Sequence, residues 1–199
     1  MNRKRMRTFV SIVIVLALVS GGTVTLISAL RGTTVDEPIT VLSGVTLSPQ
    51  DLNETGLGTA VDVGYADKTF VFFPDQGTNG QGKELATAKN GITIDFRDGG
   101  SLTLLGGQFA PDPNHALRDQ AYAWYRDKLA SNGLINDAGT TIVGEASARY
   151  DDPAIAAMLV RKNNTVFTIV YTLGTAATST APRPIIALEA LARLLASRF

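Results

Sequence analysis

Gly77-Thr78-Asn79-Gly80-Gln81-Gly82-Lys83 has the G-x-x-x-x-G-K spacing of a phosphate-binding loop. The next position decides against that chemistry. A nucleotide loop needs serine or threonine there to hold magnesium, and this chain has Glu84, whose carboxylate repels phosphate. The stretch Glu84–Lys89 is also too short for the helix whose N-terminus must face the anion. The motif therefore reads as a surface loop. His115 is the single histidine, beside Asp112 and Asn114 at the start of a helix, and the chain has no cysteine. Zinc sites built on several His or Cys, c-type haem attachment and cysteine-bound iron–sulfur clusters are excluded within one chain. A Ser–His–Asp triad would have to use His115, and no G-x-S-x-G elbow supplies its serine.

Carboxylates are the remaining candidates for acid–base or metal work. Asp95 with Asp98, and Asp151 with Asp152, form local pairs, but neither fits the D-x-[DN]-x-[DN]-G calcium loop, and aspartates at hairpin ends suit turn chemistry. Asn53-Glu54-Thr55 and Asn163-Asn164-Thr165 match the glycosylation tripeptide. No enzymatic activity, metal or cofactor is expected. One binding possibility stays open. Phe109, Tyr122, Trp124 and Tyr125 would meet between a sheet and a helix, where they could line a pocket for a lipid, a pigment or another small apolar ligand.

The elements that would position these residues form an α+β domain. Ser48 before Pro49 is an N-cap with proline at the first helical position, opening a brief turn through Leu52. Ala60–Tyr65 and Thr69–Phe73 read as strands, the second crowded with Phe70, Phe72 and Phe73. Gly91–Phe96 and Ser101–Leu105 flank Arg97-Asp98-Gly99-Gly100, a hairpin signature. Thr140–Val143 and Glu145–Tyr150 are weaker strand candidates. Ala156–Lys162 and Thr165–Leu173 form a second hairpin about Asn163-Asn164, both tolerant of positive φ. That register sets Val160 opposite Phe167, Met158 opposite Ile169 and Ala156 opposite Tyr171, while Leu159, Arg161, Thr168 and Val170 take the other face.

A helix is expected from Pro113 to Ser131, capped by Asp112, stopped by Gly133 and burying Leu117, Ala121, Trp124, Tyr125 and Leu129. A closing helix from Pro184 to Arg198 presents Ile185, Leu188, Leu191, Ala192 and Leu195 at helical spacing. The Thr/Ser/Ala/Pro stretch 175–184 before it reads as a loop. Two helices laid across an antiparallel sheet follow. The order of strands, one mid-chain helix, a strand hairpin and a closing amphipathic helix resembles the PsbP/Mog1-like group of α+β domains. That group includes many anchored bacterial surface proteins without enzymatic activity, so the resemblance implies an extracytoplasmic, non-catalytic domain. It rests on the pattern of elements, and no residue role is carried over with it.

Ahead of this domain lies an uncharged apolar run of 22 residues, Phe9 to Leu30, preceded by Arg3, Lys4, Arg5 and Arg7. At about 1.5 Å per residue a helix of that length covers roughly 33 Å, enough for the hydrocarbon core of a bilayer. The rival reading is a cleaved signal, with an apolar stretch from Phe9 to Val19 and a cleavage site after Ser20-Gly21-Gly22. Apolar residues continue beyond that site through Val24, Leu26, Ile27 and Leu30, which favours an uncleaved anchor. Its flanking cations place residues 1–8 in the cytoplasm and the rest, beyond a connector spanning 31–44, on the extracytoplasmic side as a domain of residues 45–199.

Ala17, Gly21, Thr25 and Ala29 recur every four residues, with Ser28 beside them, a small-residue stripe against which another membrane helix could pack. Beyond the run lie all 18 carboxylates and 14 of the 18 cations, a net charge of −4 that argues against nucleic acid as a partner. The expected partners are the bilayer and another membrane protein's helix. The expected function is that of an accessory or structural subunit in a larger membrane complex, such as a respiratory or photosynthetic one. The alternative is an anchored module binding a small apolar ligand.

Overall fold

Eight-residue stretches rich in Val, Ile, Leu, Phe and Thr can be buried on both faces of a sheet, and two such stretches lie at the centre of this structure. The computed structural model describes residues 35–42, 44–67, 69–75, 83–135, 142–152, 154–173 and 184–199. The strands are β1 (Ile39–Leu42), β2 (Val45–Leu47), β3 (Ala60–Tyr65), β4 (Ala88–Phe96), β5 (Ser101–Gln108), β6 (Ala146–Asp151), β7 (Ile155–Lys162) and β8 (Thr165–Thr172). The helices are α1 (Pro49–Glu54), α2 (Ala116–Ser131) and α3 (Pro184–Arg198). A six-stranded antiparallel sheet runs β3-β4-β5-β8-β7-β6, and β1 and β2 form a separate hairpin. Two meanders, β3-β4-β5 and β6-β7-β8, thus join through the β5–β8 pair, with α2 in the crossover between them. This is the α+β architecture expected.

The β7–β8 hairpin has the expected register: Ala156, Met158 and Val160 face Tyr171, Ile169 and Phe167. Its two-residue turn uses positive φ at Asn163 alone (φ 49°), not at both asparagines. Ile185, Leu188, Leu191, Ala192 and Leu195 of α3 are buried, and they share one core with Met158, Val160, Phe167 and Ile169. The other face is covered by α2 and by the segment Phe70–Phe73.

Several expectations are corrected. Residues 69–73 do not form a strand; they cross the sheet face as an irregular segment, in which Asp67 accepts the Thr69 and Phe70 amides and Glu84, rather than a neighbouring strand, accepts those of Phe72 and Phe73. The mid-chain helix begins at Ala116, not Pro113. His115 adopts a left-handed conformation (φ 50°), and the Asp112 carboxylate accepts the amides of Asn114 and Ala116, each at 3.1 Å, from a loop before the helix. Gly133 (φ 68°) ends it as expected. Ile142 and Val143 lie outside any strand, and residues 136–141 are outside the described set. The domain also starts earlier than expected: β1 occupies 39–42, within the stretch read as a connector, and its short apolar length left no clear period. Residues 77–82 of the Gly77–Lys83 loop candidate, residues 175–183 of the loop candidate 175–184, the apolar run Phe9–Leu30 and its stripe Ala17, Gly21, Thr25, Ser28 and Ala29 all lie outside the described residues.

Two consecutive glycines in β5 let both covers approach the sheet. A Cβ on Gly106 would lie 2.9 Å from Leu42 Cδ1, on the β1–β2 side. A Cβ on Gly107 would lie 2.9 Å from Phe72 Cγ and nearer still to the ring edge, on the opposite side. Gly107→Ala should therefore destabilise the domain by about 1–3 kcal/mol in urea unfolding, the cost of overpacking a full core. Combined with Phe72→Ala the penalties should be clearly less than additive; simple additivity would disprove the contact.

The C-terminal helix is fastened at its last turn. Ser48 Oγ accepts the Asp51 amide at 3.1 Å and Asp51 Oδ2 accepts the Ser48 amide at 2.7 Å, a capping box at the start of α1. Arg198 then donates to both Asp51 oxygens, at 2.7 and 2.9 Å, and to the Thr46 carbonyl at 2.6 Å. The Arg198 hydrogen bonds, aided by the Ser48 cap, hold the Asp51 carboxyl down at about 2, against an ordinary value of 3.8. A carboxyl with a lowered folded pKa adds stability above its unfolded value and loses it as pH falls toward the folded one. The contribution should be about 1–2 kcal/mol near neutrality, discounted because Arg198 is partly solvent-exposed. The stability difference between wild type and Asp51→Asn should accordingly shrink as pH drops from about 4 to 2.

Candidate functional site

The four aromatic residues singled out from the sequence do converge. Tyr125, Phe109 and Tyr122 are buried, and Trp124 lies at the edge of the same cluster. Phe72 and Phe73 enter between them. The Phe72 ring sits 4.7 Å from Tyr125 and 6.4 Å from Phe109, and Phe73 meets Phe109 and Trp124 edge-on at 6.1 and 6.0 Å. These tilted and edge-on separations are those of well-packed aromatic pairs. The Tyr125 hydroxyl donates to the Phe72 carbonyl at 2.8 Å, so the buried phenol is satisfied by the wedge itself. Burial, with the nearby Glu84 carboxylate adding to it, pushes the Tyr125 phenol well above its usual range, so it stays a neutral donor.

Glu84 holds the wedge in place. Its oxygens accept the backbone amides of Phe72, Phe73 (3.0 Å) and Ala86 (2.9 Å), and Lys89 pairs with it at 3.4 Å. Lys89 also donates to the Phe70 carbonyl and stands 5.1 Å over the Phe70 ring. The residue that spoils the phosphate-loop motif is thus a structural carboxylate that organises an irregular segment.

A second constellation forms where α2 begins, beside the β7–β8 turn. Arg118 is 5% exposed. It donates to Glu145 Oε2 at 2.7 Å, to Asp119 Oδ1 at 2.8 Å and to the Asn163 carbonyl. Arg161 reaches the same Asp119 oxygen at 3.0 Å and lies 5.4 Å over the Tyr122 ring. Glu145 accepts the Asn163 amide at 2.9 Å, and His115 Nδ1 meets Asn164 Oδ1 at 3.2 Å. Burial works to raise the Glu145 pKa, but the Asn163 amide and the Arg118 charge outweigh it and hold the carboxyl below its usual range. Two cations and two carboxylates therefore neutralise each other, and the Arg118 and Glu145 hydrogen bonds fasten α2 to the turn.

Of the other sequence candidates, Asp95 is exposed on β4, while Asp98 accepts the Gly100 amide and Asp152 the Ala154 amide, each at 2.9 Å, as turn chemistry predicts. Asp151 is half-buried at the end of β6. Among the described residues no group of three or more His, Cys, Asp or Glu side chains is placed to hold a metal ion. Sequence reasoning missed Arg118 and Glu145. The signal was present for Arg118, which shares the buried helical stripe of Ala121, Tyr122, Tyr125 and Leu129. Glu145 carried none, since its partners are 18 and 27 residues away. Comparison with models of known protein families, with curated proteins and with solved structures finds no match to this chain.

Glu84→Gln should test the wedge. One amide oxygen cannot replace two carboxylate oxygens, and the Gln NH2 would face backbone donors, costing about 1–3 kcal/mol. Trp124, the single tryptophan, packs on Phe73 and reports the change: its emission should shift to the red as Phe72 and Phe73 loosen. Unchanged emission and stability would show that the aromatic packing holds the segment without Glu84.

Proposed function

We propose that this chain is a single-span membrane protein, anchored by Phe9–Leu30, whose extracytoplasmic α+β domain acts without catalysis as an accessory or structural subunit of a larger membrane complex. Respiratory and photosynthetic electron-transfer assemblies are examples of the kind. The observation that carries the reading is the uncharged 22-residue run behind four cations. The folded domain supports it in two ways. Its two sheet faces pack against α3 with the β1–β2 hairpin and against α2 with the Phe72–Phe73 wedge, so the core has its own covers and does not call on the run. Its most elaborate polar cluster, Arg118 with Asp119, Glu145 and Arg161, is internally neutralised and spent on structure. Among the described residues no helix is long and apolar enough to cross a membrane; the run lies outside them. The stripe Ala17, Gly21, Thr25, Ser28 and Ala29 supplies the face on which a partner helix would pack.

Purification of the full chain from its native membrane in mild detergent tests the proposal. A companion protein at fixed stoichiometry is expected, and Gly21→Leu, which fills the stripe, should release it while the chain stays membrane-bound. A lone monomer, release by alkaline wash, or a mature chain starting after Gly22 would each overturn it.

A further inference from the structure

The described chain enters the domain at one end of the six-stranded sheet. Val35 is held at the start of β3, its amide donating to the Ala60 carbonyl at 3.2 Å. Only five residue steps separate Leu30 from Val35, so even fully extended chain covers no more than about 18 Å. The Ala60 end of β3 is also the end of the β4–β5 turn, where the Arg97 amide donates to the Thr59 carbonyl at 3.0 Å. The antiparallel register carries this end across the sheet: Ser101 lies opposite Thr172, Thr172 opposite Ile155, and Asp151 opposite Ala156. The β6–β7 turn is therefore at the same end. The β7–β8 turn, His115 and the start of α2 lie at the other, about eight strand residues or 26 Å away.

Resting on the single-span reading above, we infer that the domain stands upright on the membrane, with the β4–β5 and β6–β7 turns toward the lipid headgroups and the β7–β8 turn with the start of α2 outermost. Among the described residues the near end carries Asp36, Glu37, Asp95, Asp98, Asp151 and Asp152 with Arg97. That balance repels anionic headgroups, so the surface it suits is zwitterionic lipid, and the domain stands off an anionic one.

The absence of native cysteine makes the test direct. Arg97→Cys and Asn114→Cys, both at exposed positions, each receive a donor dye in the full chain reconstituted into zwitterionic vesicles carrying a headgroup acceptor. Energy transfer from position 97 should exceed that from position 114 by roughly twofold or more, given a strand-length difference in height. Anionic lipid at low salt should lower the transfer from position 97, and high salt should restore it. Equal or reversed transfer with the chain firmly in the vesicles overturns the orientation alone. Failure of the chain to remain with the vesicles overturns the anchored reading and the orientation with it.

Discussion

Everything else in this fold is arranged around a sheet that must be covered on both faces across the same strand. β5 is buried along almost its whole length, yet it carries no side chain at Gly106 or Gly107. Leu42 fills the space above one glycine and Phe72 the space above the other. The β1–β2 hairpin and the Phe70–Phe73 segment can reach the sheet only because β5 recedes on both sides at successive residues, which a strand's alternation makes possible. Larger residues there would displace the covers and expose the pair of strands, β5 and β8, that joins the two meanders.

Covering a sheet with an irregular segment raises a problem that a helix does not have. A helix satisfies its own amides and a strand those of its neighbour; the Phe72 and Phe73 amides have neither. Glu84 solves it by accepting the Phe72 and Phe73 amides, and the Tyr125 hydroxyl takes the Phe72 carbonyl. The same logic recurs at the start of α2. There the buried Arg118 meets the carboxylates of Asp119 and Glu145 and a turn carbonyl, so that a charge can lie on the apolar face of the helix without being stranded. These polar clusters are fasteners between elements distant in sequence.

Legibility followed the range of the interactions. The β7–β8 hairpin and α3 were readable to the residue pair because their signals are local: alternation about two asparagines, and an apolar stripe at helical spacing. The α+β class followed from them. The segment 69–73 was misread as a strand because three phenylalanines in five residues carry the composition of one, and nothing nearby announces that a glutamate 11 and 12 residues on will replace a strand partner. The start of α2 slipped from Pro113 to Ala116 because His115 takes a left-handed conformation that no residue type in that loop demanded. Phe109, Tyr122, Trp124 and Tyr125 were correctly brought together, but what fills the space among them came from a part of the chain some 36 residues before Phe109.

By itself the sequence determined the properties that depend on composition and local period. These are the apolar run behind its cations, the absence of cysteine and of a second histidine, the amphipathic helices, the hairpins and the class of fold. Only the tertiary structure decided how the sheet is covered and what the polar residues do. It turned Glu84 from the flaw in a phosphate loop into the acceptor that holds the aromatic wedge, and it buried Arg118 among carboxylates from elsewhere in the chain. The reason is physical. Hydrophobic period and turn preference act over a few residues, whereas a buried amide or charge is satisfied by whatever partner the fold carries to it.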